Sequence, residues 1–163
     1  MRTSTPIFHM SSGTPLVDWL FLIGEWIGTS KDQFGREGEI VTTNTFSLEL
    51  GEKFILGKHE TKRDGVVENQ HISMMFYDAR NKRFVRKTAF SYGFLNNEAE
   101  YERSKDYILF EVTPEPSPQA FDGMRWKSYI RKISETEIRD GLEVAKDGED
   151  FTNYGDAVLK KVT

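Results

Sequence analysis

Arg86 is the residue of this chain whose sequence surroundings most suggest a chemical role. Apolar and polar side chains alternate in the segment that contains it, which is the pattern of a half-buried strand. The residues that share its face are Phe84, Thr88 and Phe90. A charge among apolar side chains is costly unless something pairs with it, so we predict that Arg86 anchors the carboxylate of a bound ligand. Two alternatives remain open: a bulge turns Arg86 to water, or Asp140 pairs with it inside the protein.

The same alternation places other polar side chains among aromatic ones. Asn44, Ser128 and Asp140 each fall on the apolar face of their segment. Mostly apolar walls with a few convergent polar groups are typical of a small-molecule pocket. The candidate ligand-binding residues are Arg86, Asn44, Thr88, Phe46, Phe84, Phe90, Phe110, Trp126, Ser128 and Asp140. We therefore expect a small apolar or amphipathic ligand; the alternative is a filled core in which hydroxyls bond to the backbone.

The histidines are poorly placed for a metal site. His59 and His71 flank a hairpin turn at Asp64-Gly65. A two-residue turn there pairs positions whose numbers sum to about 129, which puts the two rings on opposite faces of the hairpin. We interpret both as surface or rim residues and predict no metal site. Cysteine is absent, so no disulfide, thiol nucleophile or Cys-ligated metal is expected.

Motifs of established enzyme classes are missing. The chain has no nucleophile-elbow serine with a following Asp and His, and no Gly-rich phosphate loop. An alternative function is a small cofactorless enzyme of isomerase or hydrolase type, with Asp140 or a tyrosine as general acid and base. We favour a binding protein without a cofactor over this enzyme.

Composition narrows the range of partners. The 163 residues carry a formal net charge of -4, which disfavours nucleic acid and anionic membranes as partners. The beginning of the chain lacks an apolar run of signal-peptide length, and no stretch approaches the roughly 20 apolar residues of a membrane span. The default expectation is a soluble cytoplasmic protein.

Turn residues divide the chain into short strands. A polar arm is expected over residues 1–13, followed by a single domain over 14–163 with Thr14 as helix N-cap and Pro15 as the first residue of a helix over 15–22. The predicted strands are 25–33, 38–48, 53–62, 67–77, 82–90, 94–102, 107–113, 124–133, 137–146 and 151–162. Asp64-Gly65 and Asp147-Gly148 are signals for tight hairpins. Ten antiparallel strands in meander order indicate an all-β protein that closes into a barrel, because closure removes the free edges.

The alternation of apolar and polar residues indicates which face points into the barrel for some strands but not for others. The fourth strand is predicted to point Ile72, Met74 and Phe76 inward, which leaves Met75 and Tyr77 outside. Together with Val85 on the fifth strand, these apolar side chains on the outer face suggest a homodimer. Strands three, six and ten show no decisive alternation.

Leu22 begins a Leu-x-Gly-x-Trp-x-Gly signature that runs through Gly24 and Trp26 to Gly28. We predict a structural role for these residues: Trp26 closes one end of the barrel, and the glycines allow close approach of neighbouring backbone. A second motif, Tyr77-Asp78, precedes the strand that begins at Arg83-Phe84-Val85. In these features the chain resembles the calycin superfamily of lipocalins, fatty-acid-binding proteins and nitrobindins, and small lipocalin-like bacterial proteins most of all.

The resemblance implies a calycin-like barrel with a short helix capping one end. It implies that a basic side chain from a late strand covers Trp26, here Lys160 or Lys161. Nitrobindins bind haem through a histidine near the C-terminal end of the barrel. No histidine of this chain follows the fourth strand, so haem binding is disfavoured.

Overall fold

A computed structural model of the protein describes residues 15–30, 35–115 and 122–163. Within them, ten antiparallel strands close into one barrel in meander order, as predicted, with β1 beside β10. The strands are β1 Gly24–Ser30, β2 Ile40–Glu49, β3 Phe54–Arg63, β4 Val66–Asp78, β5 Arg83–Phe90, β6 Leu95–Ser104, β7 Tyr107–Glu115, β8 Met124–Ser134, β9 Glu137–Lys146 and β10 Thr152–Lys161. The predicted arm over 1–13 and the predicted N-cap Thr14 lie outside the described residues.

The predicted helix is present as a 3₁₀-helix, Pro15–Leu22, and it closes one end of the barrel. Its residues Leu16, Trp19 and Leu22 are buried in the apolar core. Trp26 is fully buried beneath them, and its indole Nε1 donates a hydrogen bond to the Leu22 carbonyl at 2.7 Å. The helix and the ends of the strands nearest to it therefore form one apolar plug.

The two predicted hairpin turns differ in geometry. Asp64 and Gly65 both have positive φ, 47° and 82°, as the tight turn between β3 and β4 requires. At the β9–β10 connection only Gly148 has positive φ, 82°, and the strands are separated by residues 147–151. Asp147-Gly148 therefore lies in the predicted hairpin connection, but the connection is longer than the predicted two-residue turn.

The barrel closes through a short seam between its first and last strands. β1 pairs with β2 over seven positions but with β10 over two, at Trp26 and Ile27. At Gly28 an added Cβ would lie 2.0 Å from the carbonyl oxygen of Val158, so only glycine allows this approach. Lys161 covers the Trp26 ring, with its Nζ 5.2 Å from the ring centroid.

The predicted faces of β4 are wrong because the hairpin contains a bulge. Arg63 pairs with Val66 as predicted, but Lys62 pairs with Val67 and Thr61 with Asn69, which leaves Glu68 as an extra residue. A one-residue shift moves every later side chain to the other face.

Beyond this bulge the residues that point inward are His71, Ser73 and Met75. Ile72, predicted to be inward, is 51% exposed, whereas Met75 is 3% exposed. Met75 therefore does not contribute to an outer apolar face, and this part of the argument for a homodimer is removed.

Candidate functional site

A cavity of about 360 Å³ lies above the apolar plug and extends to the end of the barrel away from the helix. Of the residues predicted to bind a ligand, six line it: Arg86, Asn44, Thr88, Phe90, Ser128 and Asp140. The other four do not: Phe46, Phe84 and Phe110 belong to the buried core, and Trp126 packs edge-on against Tyr154 with 4.9 Å between ring centroids. The predicted phenylalanines thus form mainly the floor, and the walls are more polar than expected.

Arg86 is paired inside the barrel, and its partner is Glu98 of β6. The Arg86 Nε lies 2.8 Å from Oε2 and the Nη2 lies 2.7 Å from Oε1, a bidentate geometry. Thr88 and Ser128 donate their hydroxyls to the same carboxylate at 2.6 Å each. Neither the predicted bulge nor direct pairing with Asp140 is observed. The Arg86 charge is neutralised before any ligand arrives.

Electrostatics keep this buried pair ionised. Burial raises the pKa of Glu98, but the neighbouring Arg86 guanidinium outweighs burial and holds the pKa below its ordinary value. For Arg86, burial lowers the pKa, while the Glu98 carboxylate reverses this and raises it. The sequence pattern did not predict Glu98, because the inward positions of β6, Asn96 and Glu98, are polar and give no apolar alternation. The β5–β6 hairpin register, which places Glu98 directly opposite Arg86, is the signal that identifies it.

Asp140 and Asn44 form a second polar pair in the cavity. Asn44 Nδ2 donates to Asp140 Oδ2 at 3.3 Å. Burial raises the pKa of Asp140, although Arg86 opposes this shift and Glu98 adds to it. Asp140 makes no ion pair within 4.0 Å with the residues that the structure describes. This carboxylate is therefore held by an amide rather than by a cation.

His59 and His71 stand side by side on the cavity wall, contrary to the prediction of opposite faces. The bulge in β4 brings them into direct register, and their rings stack with centroids 4.2 Å apart. His59 Nε2 shares a hydrogen bond with Ser73 Oγ at 3.0 Å. Gly57 makes room for this contact, because a Cβ there would lie 2.7 Å from that nitrogen.

Both imidazoles are uncharged at neutral pH. Burial lowers the pKa of His59 well below its ordinary value, and the proximity of His71 and Arg86 lowers it further. Burial and Arg86 lower the pKa of His71 to about 4, although Glu98 opposes this. Within the described residues, no group of three or more His, Asp and Glu side chains is arranged to hold a metal ion.

Several buried polar atoms of the cavity wall have no hydrogen-bond partner among the residues that the structure describes. They are Asn44 Oδ1, His59 Nδ1, Asn69 Oδ1, His71 Nδ1 and Asn96 Oδ1. Buried polar atoms are almost always paired in folded proteins, because an unpaired one costs roughly 1–3 kcal/mol. Their concentration around one cavity marks it as the candidate site.

Comparisons with known proteins support the fold. No family model matches the chain, and no curated protein matches it. The crystal structure of Rv2717c from M. tuberculosis matches with a TM-score of 0.64 and 19% sequence identity, over 91% of this chain and 97% of that chain. The structure of a redesigned β-barrel matches with a TM-score of 0.36 and 10% identity, over 88% of this chain and 93% of that chain. No helix in the described part of the chain is long and apolar enough to cross a membrane. At 19% identity, the likeness to Rv2717c shows a shared barrel fold and nothing about ligand or activity.

Proposed function

We propose that the protein binds a small molecule in the barrel lumen, within a calycin-like fold. The observation that carries this proposal is the set of unpartnered buried polar atoms around the cavity. A cavity of about 360 Å³ falls in the range of small-molecule pockets. A ligand with several hydrogen-bonding groups satisfies these atoms, so its buried part is polar.

The lining also indicates how the ligand is oriented. Polar groups concentrate just above the apolar floor, where Arg86, Glu98 and Asp140 lie. Nearer the open end, the lining combines the apolar side chains of Ile40 and Phe90 with the ion pair of Arg63 and Glu68. An amphipathic molecule with its polar head inward would place its apolar part beside Ile40 and Phe90.

Native mass spectrometry tests the proposal directly. Protein purified from its native host is expected to carry a small molecule that is retained under native conditions and released on denaturation. Asn96→Leu removes one unpartnered carbonyl from the wall and is expected to weaken the affinity for the co-purified molecule by about tenfold, on the scale of one lost hydrogen bond. Asn97→Leu, the same change at the next residue, lies outside the cavity lining and serves as the matched control.

The absence of a bound mass, together with no thermal stabilisation by any member of a metabolite library, would contradict the proposal. Equal losses in Asn96→Leu and Asn97→Leu would contradict the assignment of the wall.

An enzyme that uses the same lumen is the second candidate. The observation in its favour is Asp140, a buried carboxyl of raised pKa beside an amide, which is a common setting for a general acid or base. Incubation of the protein with the co-purified molecule, followed by product detection by mass spectrometry, separates turnover from binding alone.

The lining of the cavity argues against haem as the ligand. A porphyrin needs broad apolar walls on both faces, and burying it against unpaired amides and a carboxylate leaves those groups unsatisfied. The walls of this cavity present Asn44, Asn96 and Asp140, and its two histidines cover each other's ring faces. The described residues thus favour a ligand with polar groups over haem.

A further inference from the structure

The charges that line the cavity do not balance. Arg86 pairs with Glu98, and at the open end both Arg63 and Arg36 pair with Glu68, at 2.7 Å and 3.7 Å. Asp156 has a basic neighbour outside the lining, Arg139 at 3.6 Å. Among the described lining residues, Asp140 is left as the one carboxylate without an ion pair.

Neighbouring groups do not supply the missing positive charge. His59 and His71 are neutral at physiological pH, because burial lowers the pKa of each. Arg86 faces Asp140 across the lumen, but its guanidinium makes two hydrogen bonds to Glu98. With Asp140 ionised, the deep lumen carries one net negative charge in a setting of low dielectric, where a single charge acts strongly.

Asn44 adds a second acceptor beside this carboxylate. Its Nδ2 donates to Asp140, and because an ionised carboxylate only accepts hydrogen bonds, the amide nitrogen faces it and Oδ1 is the other end of the amide. Asn44 is 1% exposed and lines the cavity, yet its Oδ1 has no hydrogen-bond partner in the described part of the chain. A carboxylate and an amide oxygen offer acceptors only, so the group that satisfies both must donate hydrogen bonds.

We propose that the lumen selects a small amphipathic cation of the ammonium or amidinium class, with its charged head held between Asp140 and Asn44. The proposal rests on the proposed function and specifies the ligand of that site. An ammonium head supplies both the opposite charge that Asp140 lacks and the donors that Asn44 Oδ1 lacks. The apolar part of the ligand then extends past Phe90 towards the open end. The proposal reverses the sequence-based expectation of a carboxylate anchored by Arg86.

Three probes that share a 2-phenylethyl group and differ in the head group test the charge preference: 2-phenylethylammonium, 2-phenylethanol and 3-phenylpropionate. Isothermal titration calorimetry against the wild-type protein is expected to rank the ammonium first, by at least about tenfold over the alcohol, because a buried charge gains its missing partner. Asp140→Asn keeps the shape of the side chain and removes its charge, so the ammonium is expected to lose this advantage while the alcohol binds as before. Glu111→Gln on β7 removes an equal charge from an exposed position outside the lining and is expected to change neither affinity.

The outcomes separate this inference from the proposed function. Equal or tighter binding of the alcohol or the carboxylate overturns the cation preference while leaving a lumen site in place. Retention of the ammonium advantage in Asp140→Asn overturns the role of Asp140; the wild-type ranking needs no variant to fold. If none of the three probes binds, the cation proposal fails, and the native mass spectrum then decides whether the lumen holds any ligand at all.

Discussion

Glu98 changes what Arg86 does in this protein. An inward arginine in an apolar strand suggests a ligand anchor, but a bidentate carboxylate already occupies its donors. Serine and threonine hydroxyls complete the same network. In a buried pair of this kind each partner chiefly prevents the other from being an isolated charge.

Removing one member of this pair is therefore expected to destabilise the folded protein more than removing both. Arg86→Met leaves Glu98 buried without a cation and should lower the free energy of unfolding by about 3–5 kcal/mol. The double variant Arg86→Met/Glu98→Leu should lose clearly less stability, since neither member of the pair is left behind as an isolated buried charge. Urea denaturation measures both, with Lys87→Met at the adjacent exposed position as the control. A double variant that is as unstable as the single one would contradict this account.

At the scale of the strands, the sequence predicted where the elements lie better than which way they face. Alternation and turn residues located all ten strands to within a few residues, because turn geometry restricts the residue types. The bulge at Glu68 leaves no trace in composition, yet it reverses the face of the rest of β4. β6 was undecided because its inward residues are polar. The site was thus half predicted: Glu98 and the histidine pair depend on pairing register, which hydropathy does not encode.

The bulge also makes stability depend on pH, because it turns His71 into the barrel. The folded-state pKa of His71 is about 4, against 6.5 for an ordinary histidine. Between these values the unfolded chain binds a proton that the folded protein excludes, so stability is full above pH 6.5 and is lost as the pH falls towards 4. The loss from His71 amounts to about 3 kcal/mol across that window. His59 acts in the same direction, whereas Asp140 opposes it because its own pKa is raised by burial.

His71→Asn is expected to flatten this dependence. Urea denaturation at several values between about pH 7 and pH 5 measures the slope for wild type and variant. Lys58→Asn, an exposed change on the neighbouring strand, should keep the wild-type slope. Identical slopes for His71→Asn and wild type would show that His71 does not exclude the proton.

At the scale of the whole molecule, the barrel divides into a plug and a site. The 3₁₀-helix, Trp26 and the core beneath the cavity form the apolar plug, and the polar lumen lies above it. Aromatic residues expected to line the site, such as Phe84 and Phe110, belong to the plug instead. Burial of apolar area in the plug stabilises the fold. The lumen above it contains polar groups that have no hydrogen-bond partner among the described residues.

Trp26→Ala is expected to destabilise the protein without changing the groups of the lumen. The indole is fully buried and also hydrogen-bonded to Leu22, so its loss should lower the free energy of unfolding by about 3–5 kcal/mol. Ile27→Ala, at a neighbouring and half-exposed position, should cost far less. Chemical denaturation measures both variants. A Trp26→Ala protein as stable as wild type but unable to bind the native ligand would contradict the division into plug and site.

The short seam between β1 and β10 has a consequence for the folding route. Each hairpin of the meander forms from neighbouring residues, but the seam joins strands from opposite ends of the chain, so its closure carries the largest loop entropy and is expected last. Until then both terminal strands are free edges that can pair with another copy of the chain. A side chain at Gly28 would meet the Val158 carbonyl and hold that gap open. A larger residue at position 28 is therefore expected to delay closure of the seam and to favour strand exchange between copies of the chain.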